Sequence, residues 1–142
     1  MLLVLLAPLV AAAVIGAAFV ALTAQSRRQQ QLLGRVVEGA GPDRVSVEQP
    51  SILFFTGENC TICHTAQKPA LDGLSAALDH DVRIREIDVA VRPDLARTYR
   101  VMSLPTTIVL SRSGEILAIN AGFASGEKLR SQLARAGVPA AA

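Results

Sequence analysis

A chain of 142 residues, 51% of them hydrophobic, has room for one small domain and an apolar segment but not for several domains. Its net charge of +2 is too small to argue for a nucleic-acid partner, and with no Trp and one Tyr it offers no stacking platform for single strands. Its two cysteines, Cys60 and Cys63, stand too close together to staple distant parts of the chain and are too few for a four-ligand zinc site, so no metal is expected.

Residues 1–24 are uncharged and almost wholly apolar. A run of ~20 such residues spans the hydrocarbon core of a bilayer as a helix at ~1.5 Å per residue. The basic start of a secretory signal is missing, since the first charge is Arg27, and the bulky Leu22 stands where a cleavage site wants a small residue. A retained single-pass anchor is therefore expected, with Pro8 kinking it near one end. Arg27, Arg28 and Arg35 follow the span, and by the positive-inside rule they slightly favour a cytoplasmic domain; many anchored proteins of this kind face the oxidising side instead.

Residues 25–49 read as a connector. Leu32, Leu33, Val36 and Val37 have helix-like spacing that could prolong the span, Gly39, Gly41 and Pro42 break it, and Val45–Val47 alternates like a short edge strand. A domain is expected over 50–138, with a disordered tail at 139–142. Ile52–Phe55 reads as a strand buried on both faces and Thr56–Asn59 as the turn after it. Thr61–Leu78 has helical spacing, with Pro69 as a kink. Val82, Ile84 and Ile87 mark the next strand, ending near Asp88, and Asp94–Tyr99 a short helix. Thr106–Leu110 is strongly β-branched and forms a hairpin with Glu115–Asn120 through Ser113-Gly114. Ser125 caps a last helix from Gly126 to Ala136, closed by Gly137 and Pro139. Strand–helix alternation requires parallel pairing and the late hairpin is antiparallel, so the fold class is α/β, a mixed sheet flanked by helices and preceded by a single transmembrane helix.

Cys60-Thr61-Ile62-Cys63 falls between the first strand and the long helix. Unpaired N–H groups and the dipole at a helix N-terminus stabilise negative charge, and such a site can lower a cysteine pKa from ~8.5 toward ~3.5–7.5. Cys63 lies one helical turn on. Cys60 is the expected nucleophile on a disulfide and Cys63 the residue that resolves the mixed disulfide. Glu58 and His64 are the neighbours that could tune the thiols. Two alternatives stay open. Cys60-Thr61-Ile62-Cys63-His64 also fits c-type haem attachment, with His64 and Met102 as axial ligands, although the preceding buried strand and the strand-rich remainder weigh against it. The domain could also be a binding scaffold without catalysis.

From Ser51 to about Gly137 the chain resembles the thioredoxin superfamily. The resemblance rests on the strand before Cys60-x-x-Cys63, on Pro69-Ala70-Leu71-Asp72, on Ile87-Asp88-Val89, on Tyr99-Arg100-Val101-Met102-Ser103-Leu104-Pro105-Thr106, on Gly114-Glu115 and on Gly122. A CxxC with an x-Pro-Thr strand roughly forty residues later is a strong signal. The resemblance implies a thioredoxin-like fold, a cis Pro105 lying against the cysteines, substrate contacts at Ser103, Leu104 and Pro105, protein thiol or disulfide partners, no cofactor, and a monomer. A narrower likeness, through Ile52–Phe55 and Thr56, is to anchored members that help mature amine dehydrogenases. The chain departs from thioredoxin itself at Asn59, where that family has Trp, at Thr61-Ile62 in place of Gly-Pro, and at Phe54 in place of a buried acid. Pro69 stands one residue later than the usual helix proline, which predicts a bulge in the helix.

Overall fold

The computed structural model describes residues 2–36, 49–78 and 81–138. It divides into two compact units, 1–31 and 32–142. The first is the helix α1 (Leu2–Gln30). Val10, Val14, Ile15, Phe19, Val20 and Leu22 are all exposed along it, so its apolar surface is not confined to one stripe. The helix passes the expected boundary at residue 24 and stops at Gln30, short of Val37.

The second unit is built from β1 (Ser51–Thr56), a π turn (Cys63–Gln67), α2 (Lys68–Ala77), β2 (Arg83–Asp88), α3 (Pro93–Thr98), β3 (Thr106–Leu110), β4 (Ile116–Ala121) and α4 (Gly126–Ala134). The four strands form one sheet in the order β2-β1-β3-β4. β1 pairs parallel to β2 and antiparallel to β3, and β3 pairs antiparallel to β4. This is the mixed sheet read from the strand–helix order.

β1 is buried along its whole length and alternates between two cores. Ile52 and Phe54 join Cys63, Leu71, Leu74, Leu129 and Leu133 beneath α2 and α4. Leu53 and Phe55 join Leu95, Tyr99, Ile108 and Leu110 beneath α3. The uninterrupted apolar run Ile52–Phe55 is thus explained, since a strand with helices on both faces has no solvent side. Phe55 and Tyr99 meet as tilted rings with centroids 5.8 Å apart.

Three readings of the sequence need correction. The segment after α1 does not continue as a helix to Val37: Gly34 takes a φ of +75°, its N–H donates to Ile116 O, and Val36 bridges Glu115. Leu32 and Leu33 therefore lie in a turn whose end bonds the start of β4. The hairpin partner runs Ile116–Ala121 rather than Glu115–Asn120, with a register shift at Val109/Leu110, and Glu115 forms its bridge with Val36 instead. The last helix stops at Ala134, with a turn over residues 135–137. Ser125 caps it as expected, its hydroxyl accepting from the Lys128 N–H at 3.2 Å. The proposed strand Val45–Val47 and the tail at 139–142 lie outside the described residues.

Candidate functional site

Helical structure begins at Thr61, so Cys60 occupies the N-cap position. Its N–H donates to Gly57 O at 3.0 Å, which closes the turn after β1. Its sulfur accepts the Cys63 N–H at 3.3 Å, the place a serine or aspartate oxygen takes in an ordinary cap. A thiolate at Cys60 would be stabilised by the same donor and by the helix dipole. The two cysteines are joined in a disulfide with Cα atoms 5.3 Å apart.

The two sulfur-bearing residues have unlike surroundings. Cys60 is half-buried, whereas Cys63 is 0% exposed and packed with Ile52, Phe54 and Leu71. Burial of Cys63 leaves no room for a porphyrin bonded to its sulfur, which weighs further against the haem reading. His64 points the same way. Its Nε2 is within 3.2 Å of Gly57 O and 3.3 Å of Glu58 O, and because carbonyls only accept, this nitrogen donates to the turn rather than facing a ligand. Met102 is exposed. Glu58 lies exposed in the turn and contributes its carbonyl to His64.

The Leu104–Pro105 peptide is cis, as the resemblance implied. Pro105 is buried, Leu104 half-buried and Ser103 exposed. Ser103 O accepts from Thr106 Oγ1 at 2.7 Å, which ties the loop to the first residue of β3. Leu104 packs against both cores, and Cys60 packs against the same core as Cys63. Gly57 brings the two loops together: a Cβ there would lie 3.1 Å from Leu104 Cδ1. A larger residue there would have to push the Leu104 side chain aside by a few tenths of an ångström. The sequence showed Gly57 only as a turn residue.

Gln67 is a second residue that the sequence reading passed over. The one-residue offset of Pro69 is absorbed by the π turn, in which the Lys68 N–H bonds Cys63 O. This turn places Gln67 in the interior at 0% exposed, where its amide holds both main-chain groups of Ala124. The bulge was legible from the proline spacing, but the inward amide was not.

A Cys-x-x-Cys pair at disulfide distance, with a buried second sulfur and a cis-proline loop whose Leu104 packs on the same core, on a mixed sheet, supports thiol–disulfide redox chemistry. Comparison with known proteins agrees. The malarial protein in one solved structure is 28% identical, over 61% of this chain and 96% of that one, with a TM-score of 0.57. Thioredoxin-2 of the malaria parasite, described as a component of that parasite's protein secretion machinery, is 28% identical over 61% of this chain and 82% of its own, also at 0.57. Chloroplastic thioredoxin z shares the fold at 21% identity, covering 67% of this chain and 84% of its own, with a TM-score of 0.59. Residues 42–135 match the family model described as Thioredoxin, and on that match, which takes in well over half of its length, the chain belongs to the thioredoxin family.

Proposed function

We propose that the protein is a membrane-anchored thiol–disulfide oxidoreductase that exchanges disulfides with partner proteins. The observation that carries this is the asymmetry of the pair, with Cys60 half-buried at a helix N-terminus and Cys63 sealed beneath it. In the reducing direction the Cys60 thiolate attacks a substrate disulfide, forming a mixed disulfide and expelling one substrate thiolate. Cys63 then loses its proton and attacks Cys60 Sγ, forming the intramolecular disulfide and releasing the second substrate sulfur. Two electrons pass to the substrate, and the expelled thiolates take protons from Cys63 and water. The reverse sequence starts from the Cys60–Cys63 disulfide and oxidises a substrate dithiol.

Leu104 and Pro105, with Ser103 beside them, are the substrate-binding loop in this reading, offering main-chain groups to an extended peptide. Glu58, in the turn before Cys60, and His64, which bonds that turn from the following helix, are the neighbours placed to tune Cys60 in this reading. Residues 1–24 hold the domain at a bilayer: α1, at ~1.5 Å per residue, is longer than the ~30 Å hydrocarbon core. Residues 25–49 serve as the connector and 50–138 as the redox domain. Arg27, Arg28 and Arg35 favour the cytoplasmic face.

Cysteine replacement tests the reading. Cys60→Ser should abolish exchange, and Cys63→Ser should accumulate mixed disulfides visible on non-reducing gels. Native exchange rates in both variants would sink it. A redox titration fixes the direction: a couple near about −270 mV implies a reductase and one near about −120 mV an oxidant.

A further inference from the structure

Gln67 makes bonds that the exchange chemistry does not require. Its Nε2–H donates to Ala124 O at 3.0 Å and its Oε1 accepts the Ala124 N–H at 2.9 Å. A buried amide that satisfies both main-chain groups of one distant residue holds that residue in place, because losing either bond strands a buried polar atom. Gln67 reaches Ala124 from the π turn that starts at Cys63. Such turns occur often at functional sites.

Ala124 ends the short segment Gly122-Phe123-Ala124. At its other end, the Gly122 N–H donates to Pro105 O at 2.8 Å. The segment is therefore pinned on one side to the proline loop and on the other to the cysteine helix. Between the two pins stands Phe123, a large apolar side chain 51% exposed. An exposed ring on a backbone already fixed at both ends gives up little freedom when a partner covers it.

We propose that Gln67 is a positioning residue that holds Phe123 as one wall of the substrate groove beside Leu104 and Pro105. The ring then selects extended peptide disulfides with an apolar side chain close to the reacting cysteine. This rests on the oxidoreductase reading, and it adds a residue outside the cysteine and proline motifs that governs which substrate is taken.

The test uses the full-length chain in detergent and two disulfides: a peptide disulfide with Leu beside its cysteine, and a small aromatic disulfide reagent. Gln67→Met should lower the ratio of kcat/KM for the peptide to that for the reagent about tenfold, through KM. Phe123→Ala should lower it to a similar degree, and the double variant should be no worse than either single one. Deuterium exchange of the Ala124 amide should accelerate in Gln67→Met. An unchanged ratio in either single variant, or additive losses in the double variant, overturns the proposal. If Gln67→Met does not fold, the exposed site at Phe123 still decides, since an unchanged ratio in Phe123→Ala removes the wall. A native chain inactive on both disulfides overturns the oxidoreductase reading and this inference together. An active native chain with an unaltered ratio in the variants overturns this inference alone.

Discussion

The main-chain N–H of Cys63 donates to the sulfur of Cys60 across 3.3 Å, so the residue proposed to resolve the mixed disulfide caps the sulfur it would attack. The same turn carries Cys63 into a core beside Phe54, which is 2% exposed. In the reduced protein a thiolate at Cys60 would keep this main-chain donor, whereas apolar packing would disfavour a thiolate at Cys63.

That contrast predicts a slow second step. Among the described residues no Asp or Glu is buried, so no carboxylate sits in the core beside Cys63 to take its proton. Resolution of a mixed disulfide on Cys60 should accelerate about tenfold per pH unit above neutrality until Cys63 ionises. Phe54→Asp should flatten that dependence, at a cost of about 3–5 kcal/mol in stability, the range for emptying a buried phenylalanine site. Phe54→Leu should leave the slope intact. Stopped-flow measurement of the second step is the check, and a rate independent of pH in the native chain would contradict the argument.

Tyr99 supplies a pH dependence of another kind. Burial pushes its phenol above the ordinary value of 10.0, with Arg85 opposing part of the effect. The unfolded chain loses this proton first. The stabilisation is complete below pH 10.0 and is lost as the pH rises through the raised value. Tyr99 is the only tyrosine and there is no Trp, so tyrosinate absorbance reports on this one ring. Its midpoint should lie above 10.0 in the folded chain and drop on denaturation, and Tyr99→Phe should move alkaline unfolding upward. A folded midpoint at or below the denatured one would refute this.

Ser125 offers a test of packing without chemistry. Its hydroxyl caps α4, whose Leu129 and Leu133 complete the core around Cys63. Ser125→Ala should cost about 1 kcal/mol in denaturant unfolding while leaving the reduction potential where it was. A shift in potential would mean that α4 communicates with the cysteines more strongly than its packing suggests.

The parts of this fold that were legible in the sequence are those fixed by local chemistry. Thr106–Leu110 is β-branched and apolar enough to be a strand in any context, and its bounds match the structure. Ser125 announces its helix because a cap is a local bond. Residues whose role depends on a distant partner were not legible. Gln67 looks like surface polarity until Ala124, 57 residues away, accepts its amide. Gly57 looks like an ordinary turn until Leu104 lies against it. Leu32 and Val36 misled because their spacing suits a helix as well as a turn followed by a bridge, and only the positive φ of Gly34 decides between them.

The proposed anchor yields a prediction about topology. α1 is apolar and uncharged through Ala24, then carries Arg27 and Arg28 in its last turns. A helix lying on a bilayer surface would need a polar face, which the sequence of residues 1–24 lacks, so the proposed anchor is expected to span. The full-length chain should resist alkaline extraction from membranes and keep its first residue, whereas a cleaved signal would leave a shortened, extractable protein. On the proposed cytoplasmic orientation, reduced Cys60 should react with a membrane-impermeant maleimide only after the membrane is opened. Replacing Arg27, Arg28 and Arg35 with glutamate should let the label reach Cys60 from outside in part of the population. Labelling of the native chain in intact cells would place the domain on the opposite face and show that the flanking charges do not set its orientation.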